Sequence, residues 1–420
     1  FRLPVLSVFI FAYHPTDVIS QPRELTLEEC YALAKSNYPL IRQQSLIQEA
    51  SAFSIESISK SLLPQINVNA QSTYQSDVTS IPVKFPGIEI PVPAKNQYKI
   101  VAEVNQILYD GGLVNQQKKL AAANAGIEQS NLEVDLYQLK ERINGLFFGL
   151  LLNAETFKQH ELVKADIQNG IARVQALIRN GTALKSSLAS LQAEALLSEQ
   201  QSITLKSARR SYLDMLGLLI QQNLPDSEVL KIPPAILPSK EITRPELQFF
   251  QSRKSKLAVS SQILKSQTLP KASLFLQAGA GKPGLNMLSN QFDPYYIGGI
   301  KLMWGFGNLY TYKSDKSNLE IEVKKNDIQK ETFLFNTRYA LVRQESESQK
   351  FLKLSDTDDE IIALRKQVKN STLAQLQNGT VNSSDYLRDV YAEENAAIQK
   401  IMHELQYLSA LYSEKTLRGN

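Results

Sequence analysis

Two hydrophobic periods take turns along this chain. Over residues 64–74, Ile66, Val68, Ala70 and Tyr74 fall on one side, and Asn67, Asn69, Gln71 and Thr73 on the other. Over 98–109, Tyr98, Ile100, Ala102, Val104 and Leu108 oppose Lys99, Glu103 and Asn105. A step of two predicts strands with one apolar and one polar face. The step returns at 271–280, where Ala272, Leu274, Leu276, Ala278 and Ala280 oppose Lys271, Ser273 and Gln277. It returns again at 295–304, where Tyr296, Ile300, Leu302 and Trp304 oppose Tyr295 and Lys301. Strands are expected over about 64–76, 97–109, 270–281 and 294–305.

The second period is helical. Thr26-Leu27-Glu28-Glu29 has capping-box spacing and opens a helical pattern that Pro39 interrupts and Pro64 ends. After Asp110-Gly111-Gly112, the residues Leu132, Leu136, Leu139, Ile143, Leu146, Leu150 and Phe157 recur at three, four or seven. The pattern runs without proline to about Ile178, roughly 100 Å of helix at 1.5 Å per residue. Arg179-Asn180-Gly181-Thr182 breaks it. Leu188, Leu191, Ala195, Ser202, Leu205, Ala208, Tyr212, Met215 and Leu219 then return at coiled-coil spacing. A second long helix is expected from about Leu309 to Leu376, a turn at Asn378-Gly379-Thr380, and a return through Leu387, Val390, Ala397, Ile401, Leu405 and Leu408. Both halves thus read as antiparallel helical hairpins with an Asn-Gly-Thr tip.

The halves are offset by a fixed distance. A shift of 198 lays Gln106-Ile107-Leu108 on Trp304-Gly305-Phe306, Asp110 on Asn308, and Asn180-Gly181-Thr182 on Asn378-Gly379-Thr380. Leu63-Pro64 corresponds to Leu269-Pro270 at a shift of 206, which fits a longer loop in the first copy. A unit this long is a duplicated half-molecule rather than a solenoid repeat. The expected organisation is residues 1–20 as a leader, 21–222 as a first repeat with its hairpin over 110–222, and 223–245 as a proline-rich connection. A second repeat over 246–420 carries its hairpin over 308–417.

Leu3 to Ala12 is an apolar run after Arg2, followed by small or polar residues and Val18-Ile19-Ser20 before Gln21. It resembles a secretory signal peptide with a truncated n-region, so the mature chain is expected to start near Gln21 and to leave the cytoplasm. No segment approaches the length of apolar run that spans a bilayer as a helix; Leu146 to Leu152 is the strongest and is too short. A membrane role would therefore need a barrel, whose apolar face meets lipid while its polar face lines water. Tyr74, Tyr98, Tyr109, Tyr295, Tyr296 and Trp304 cluster at strand ends, as interfacial aromatics do. Four strands cannot close a barrel, since small barrels need about eight. The expected class is a mixed α/β membrane protein. It is mostly α, with long coiled-coil hairpins, and contributes four strands to a barrel shared between chains.

These residues together resemble the TolC-like outer-membrane efflux proteins. The carriers are Leu25-Thr26-Leu27-Glu28-Glu29-Cys30-Tyr31-Ala32-Leu33-Ala34, Asn37-Tyr38-Pro39, Leu63-Pro64, Gln106-Ile107-Leu108-Tyr109-Asp110-Gly111-Gly112, and the tip glycines Gly181 and Gly379. The resemblance implies a homotrimer with a twelve-stranded outer-membrane barrel and a helical periplasmic tunnel. It also implies a periplasmic adaptor protein and an inner-membrane pump, serving drug efflux or type I secretion. On that resemblance, Asn180, Gly181, Thr182, Asn378, Gly379 and Thr380 form adaptor-contacting tips. Asp110, Gly111, Gly112, Gly305 and Gly307 form the barrel-to-helix junctions, although Trp304-Gly305-Phe306-Gly307-Asn308 lacks the paired glycines. Family members carry acidic rings six and nine residues after the second tip glycine. Here those positions are Asp385 and Arg388, with Asp389 beside the latter. Asp385 and Arg388 are also spaced to form a simple helix-surface ion pair. Asn67, Asn69, Gln71, Lys99, Glu103, Lys271, Gln277 and Lys301 are the expected barrel lumen.

The remaining chemistry is sparse. A net charge of +4 on 88 charged residues demands no nucleic-acid partner. One cysteine and three histidines supply neither a disulfide framework nor a Cys/His metal site, and no cofactor is expected. Cys30 reads as a packed small hydrophobe before a reactive thiol. His14 falls in the leader, and His160 and His403 are single residues on long helices. Asp356-Thr357-Asp358-Asp359-Glu360 lacks the glycine and spacing of a calcium loop and is expected to be a solvated helix face. Gly279-Ala280-Gly281-Lys282 is followed by Pro283-Gly284 where a phosphate loop needs a helix. The Asn-Gly-Thr triplets match glycosylation sequons, but a tight turn explains them. No acid–base cluster suggests an enzyme. The rival reading is a coiled-coil scaffold without a channel, which leaves the alternating strands unexplained.

Overall fold

The computed structural model describes residues 24–80, 82, 87, 92–181, 183–237 and 239–420. The expected leader over 1–20, His14 and the expected tip residue Thr182 lie outside them. The chain is mostly helical with an antiparallel sheet. It divides into two compact units. A helical unit takes the described residues of Phe1–Tyr38 with Glu141–Leu237 and Ser346–Tyr412; a sheet unit takes those of Pro39–Lys140, Pro238–Glu345 and Ser413–Asn420.

In the sheet unit, β2 (Gln65–Tyr74), β3 (Asn96–Tyr109), β5 (Lys271–Lys282) and β6 (Asp293–Met303) form one antiparallel sheet in that order. β2 and β6 are its edges. A bulge between Ile107 and Tyr109 sets Leu108 out of the ladder, so the period of two ends one residue earlier on β3 than expected. The helices α2 (Gln43–Lys60), α3 (Leu113–Tyr137) and α6 (Pro245–Gln267) belong to this unit, with α3 packed on both others. Pro245 sits at the start of α6, where its missing N–H leaves no bond unmade. Arg244 lies over the rings of Tyr137 and Phe333, at 5.1 and 5.7 Å from their centroids.

In the helical unit, α1 (Leu27–Asn37) packs on α5 (Lys185–Ile220). The expected capping box is present: Glu29 N donates to Thr26 Oγ1 at 3.2 Å, and Thr26 N donates to Glu29 Oε2 at 3.0 Å. Leu27, Cys30, Ala34, Ile143, Phe147, Leu150, Leu213, Leu216 and Ile220 form a fully buried core. α4 (Leu139–Arg179) follows α3 after a single-residue break at Gln138. One continuous helix was expected there. Gln138 keeps right-handed helical angles and its N–H still reaches Val134 O, so the break is a local turn rather than an end.

The sequence pattern misses one element pair. β1 (Glu24–Leu25) runs parallel to β4 (Val229–Leu230), within the proline-rich connection. Two residues are too few to display a period. The last helices are α7 (Gly307–Gln377), unbroken over 71 residues, and α8 (Ser383–Arg418). Among the described residues no helix is long and apolar enough to cross a membrane.

Candidate functional site

Cross-strand pairs share a face, so the register decides which side chains lie together. Asn67 pairs with Glu103 and Gln71 with Lys99; Glu103 pairs in turn with Gln277, and Ser273 with Lys301. Asn69 and Lys271 fall in the same alternation. All eight expected lumen residues therefore occupy one face of one sheet. The opposite face carries Ile66, Val68, Ile100, Leu274, Leu276, Ile300 and Leu302. Ile66, Val68, Ile300 and Leu302 are 67–72% exposed in the chain. A soluble sheet would cover such a face, at roughly 25 cal/mol per Å² gained.

The two strand-to-helix junctions differ. Gly111 and Gly112 have φ of 74° and 80°, a left-handed conformation that only glycine takes at low cost. Asp110 secures the turn: Gly112 N donates to its Oδ1 at 2.8 Å, and Val114 N to its Oδ2 at 2.6 Å. Those bonds satisfy N–H groups at the start of α3. At the second junction neither Gly305 nor Gly307 has a positive φ, and a Cβ at either meets nothing within 4 Å. Trp304 and Asn308 hold that junction instead, donating from Nε1 to Thr268 O at 3.0 Å and from Nδ2 to Gln267 O at 2.8 Å. The chain leaves β6 without a glycine-dependent bend.

Both tips belong to the helical unit. Gly181 and Gly379 take φ of 76° and 70°, and their N–H groups reach Ile178 O and Leu376 O. Each is a left-handed helix end, for which glycine is the least strained residue. Asn180, Asn378 and Thr380 are exposed beside them. A shared core of Val163, Ile167, Val174, Leu191, Leu376, Tyr386, Leu387 and Val390 lies behind the tips and packs the two hairpins together.

The three gate candidates sit unequally. Asp385 closes a reciprocal cap with Asn382: Asp385 N donates to Asn382 Oδ1 at 3.0 Å, and Asn382 N to Asp385 Oδ2 at 3.4 Å. Arg388, 71% exposed, lies 3.6 Å from Asp385 and 3.5 Å from Asp389. Asp389 is buried and accepts from Thr372 Oγ1 at 2.6 Å, tying α8 to α7. The expected Asp385–Arg388 pair is thus made, and Asp389 is a seam residue.

Other polar groups in this unit escaped the sequence reading. His160 is buried, with Nδ1 3.3 Å from Glu394 Oε1 and Nε2 2.9 Å from Ser198 O. It thereby links α4, α5 and α8. Burial raises the Glu394 carboxyl pKa, and the hydrogen bond from His160 offsets part of that. Lys369 bridges Glu393 and Asp166 at 2.6 and 2.9 Å. Burial opposes its charge, yet hydrogen bonds to the two carboxylates leave its pKa raised. Asp358 corrects an expectation: it is buried against His403 at 2.8 Å, while Asp359 reaches Lys400 from the solvated side. Cys30 is fully buried, and burial with nearby Glu29 and Glu228 pushes its thiol up to about 12. These partners lie too far apart in sequence to be signalled by spacing.

No protein-family model matches the chain, and no curated protein matches it. Solved structures do. The outer membrane protein VceC of Vibrio cholerae matches at a TM-score of 0.65 and 13% identity, over 94% of this chain and 96% of that one. The CmeC outer membrane channel of Campylobacter jejuni matches at 0.62 and 15% identity, over 99% of this chain and 94% of that one. The MtrE outer membrane channel of Neisseria gonorrhoeae, solved in its open state, matches at 0.64 and 14% identity, over 94% and 89%. The chain therefore has the fold of TolC-like outer-membrane channels over nearly its whole length.

Proposed function

We propose that this chain is the outer-membrane channel of an efflux or type I secretion assembly: a passive conduit that spans the outer membrane with its sheet and the periplasm with its helices. One observation carries the reading. A four-stranded sheet exposes a mostly apolar face, sets the eight expected lumen residues on the other, and among the described residues leaves both edges unpaired. Lipid tolerates the apolar face but no open edge. Three copies supply twelve strands and close the ring. The chain is read as internally duplicated, β2 to α5 matching β5 to α8, so three chains build walls of sixfold character.

A helix face favours the same assembly. Ile321, Ile328, Phe335 and Val342 recur at seven on α7 and are 48–67% exposed. Leu46 and Phe53, also seven apart, are exposed on α2 of the same unit. Such stripes are the seams of coiled coils, here assigned to contacts between copies.

In this reading Asn180, Gly181, Thr182, Asn378, Gly379 and Thr380 meet an adaptor protein, an inner-membrane pump supplies the energy, and Asp385 lines the periplasmic gate. Planar-bilayer recording tests the conduit and the gate together. The detergent-extracted chain should form pores, and Asp385→Ala should raise conductance or relieve block by cations. Pores with unchanged conductance and block would remove Asp385 from the gate. A particle without pores would remove the channel.

A further inference from the structure

The polar face of the sheet is charged unevenly along the strands. At its helix-proximal end Lys301 stands opposite Ser273, and Lys271 stands one step further on, opposite Met303. Their neighbours on that face are Ile107, Ser273, Phe275 and Met303, with Asn105 and Gln65 beyond on β3 and β2. Neither lysine has an ion pair among the described residues. Asp110, just past the end of β3, is turned to the N–H groups of Gly112 and Val114 and pairs with neither lysine. Two positive charges with no ion-pair partner among the described residues therefore lie together at this level.

The rest of the face does not offset them. Glu103 shares a row with Asn67 and Gln277, and Gln277 pairs with Ile297, four residues from Lys301. At about 3.3 Å per residue that is roughly 13 Å along the strands, so Glu103 stands at its own level and pairs with neither lysine. Glu103 also accepts a hydrogen bond from Asn105 Nδ2 at 2.8 Å. At the far end Lys99 and Asp293 share a row across Gly281 and oppose each other in sign.

We propose that Lys271 and Lys301 form an anion-selecting ring at the base of the barrel, in series with the acidic gate assigned to Asp385, and admit anionic solutes over cationic ones there. The inference rests on the shared-barrel reading, in which three chains repeat the pair around one lumen as a ring of six lysines. Rings of charged side chains select permeant ions, and low-dielectric walls concentrate the field they make. The solutes favoured are those with an exposed carboxylate, sulfonate or phosphate.

The test is the reversal potential of the purified full chain in planar bilayers under a potassium chloride gradient. Wild type should prefer chloride. Lys271→Gln with Lys301→Gln should lower the chloride-to-potassium permeability ratio by about tenfold or more, the scale on which focused charge enriches counter-ions. Lys271→Glu with Lys301→Glu should reverse the preference, and Lys→Arg at both positions should keep it. Open pores whose ratio stays within about twofold of wild type in the glutamine and glutamate doubles overturn the proposal. Should the doubles fail to insert, Asp385→Ala decides, because it removes the acidic gate: its chloride preference should fade as salt rises, and a cation preference or one indifferent to salt overturns the proposal. A wild-type particle without conductance takes down the channel reading itself.

Discussion

A Cβ added to Gly111 would lie 2.8 Å from Ser266 O and 2.9 Å from Leu269 Cβ, on a backbone already at φ 74°. A Cβ added to Gly305 meets nothing. Gly111→Ala should therefore cost about 1–3 kcal/mol of stability, whereas Gly305→Ala should stay within about 0.5 kcal/mol. Thermal-unfolding midpoints of the two variants check this, and equal shifts would contradict it. The glycine pair after Asp110 was legible because a tight turn needs left-handed angles. The second junction was not, because Trp304 and Asn308 find their acceptors in Thr268 and Gln267, about forty residues back. Partners on another helix likewise hid the burial of Asp358 against His403 and of Asp389 against Thr372.

At the scale of elements, the four long strands and both hairpins were legible from their periods. β1 and β4 were not, since a two-residue strand is made by its partner. The break at Gln138 was also silent, because no proline or glycine marks it. Periodicity can place Ile321, Ile328, Phe335 and Val342 on one stripe of α7, but only the fold shows that their own chain leaves the stripe uncovered. Phe335→Glu with Val342→Glu should place like charges in the proposed seam between copies. The extracted particle should then fall to single chains while far-UV circular dichroism keeps its helical signal. Unaltered assembly would take this stripe out of the interface.

For the whole molecule, the sequence carried the need for partners before any coordinates did, since four strands cannot close around a lumen. The sheet is consistent with that need: its apolar face is exposed and, among the described residues, neither edge strand is paired further. The 198-residue offset supplies the complementary idea, that one chain contributes two similar halves to a common wall. The residues proposed for tips, gate and lumen were picked out by type and order alone. Their surroundings were not, and Asp389 in the α7–α8 seam is the plainest example. The central claim is that copies of this chain share one barrel. Counting the chains in the detergent-extracted particle, by light scattering corrected for bound detergent, tests it most directly. The account predicts three chains per particle, and a stable single chain in detergent would contradict it.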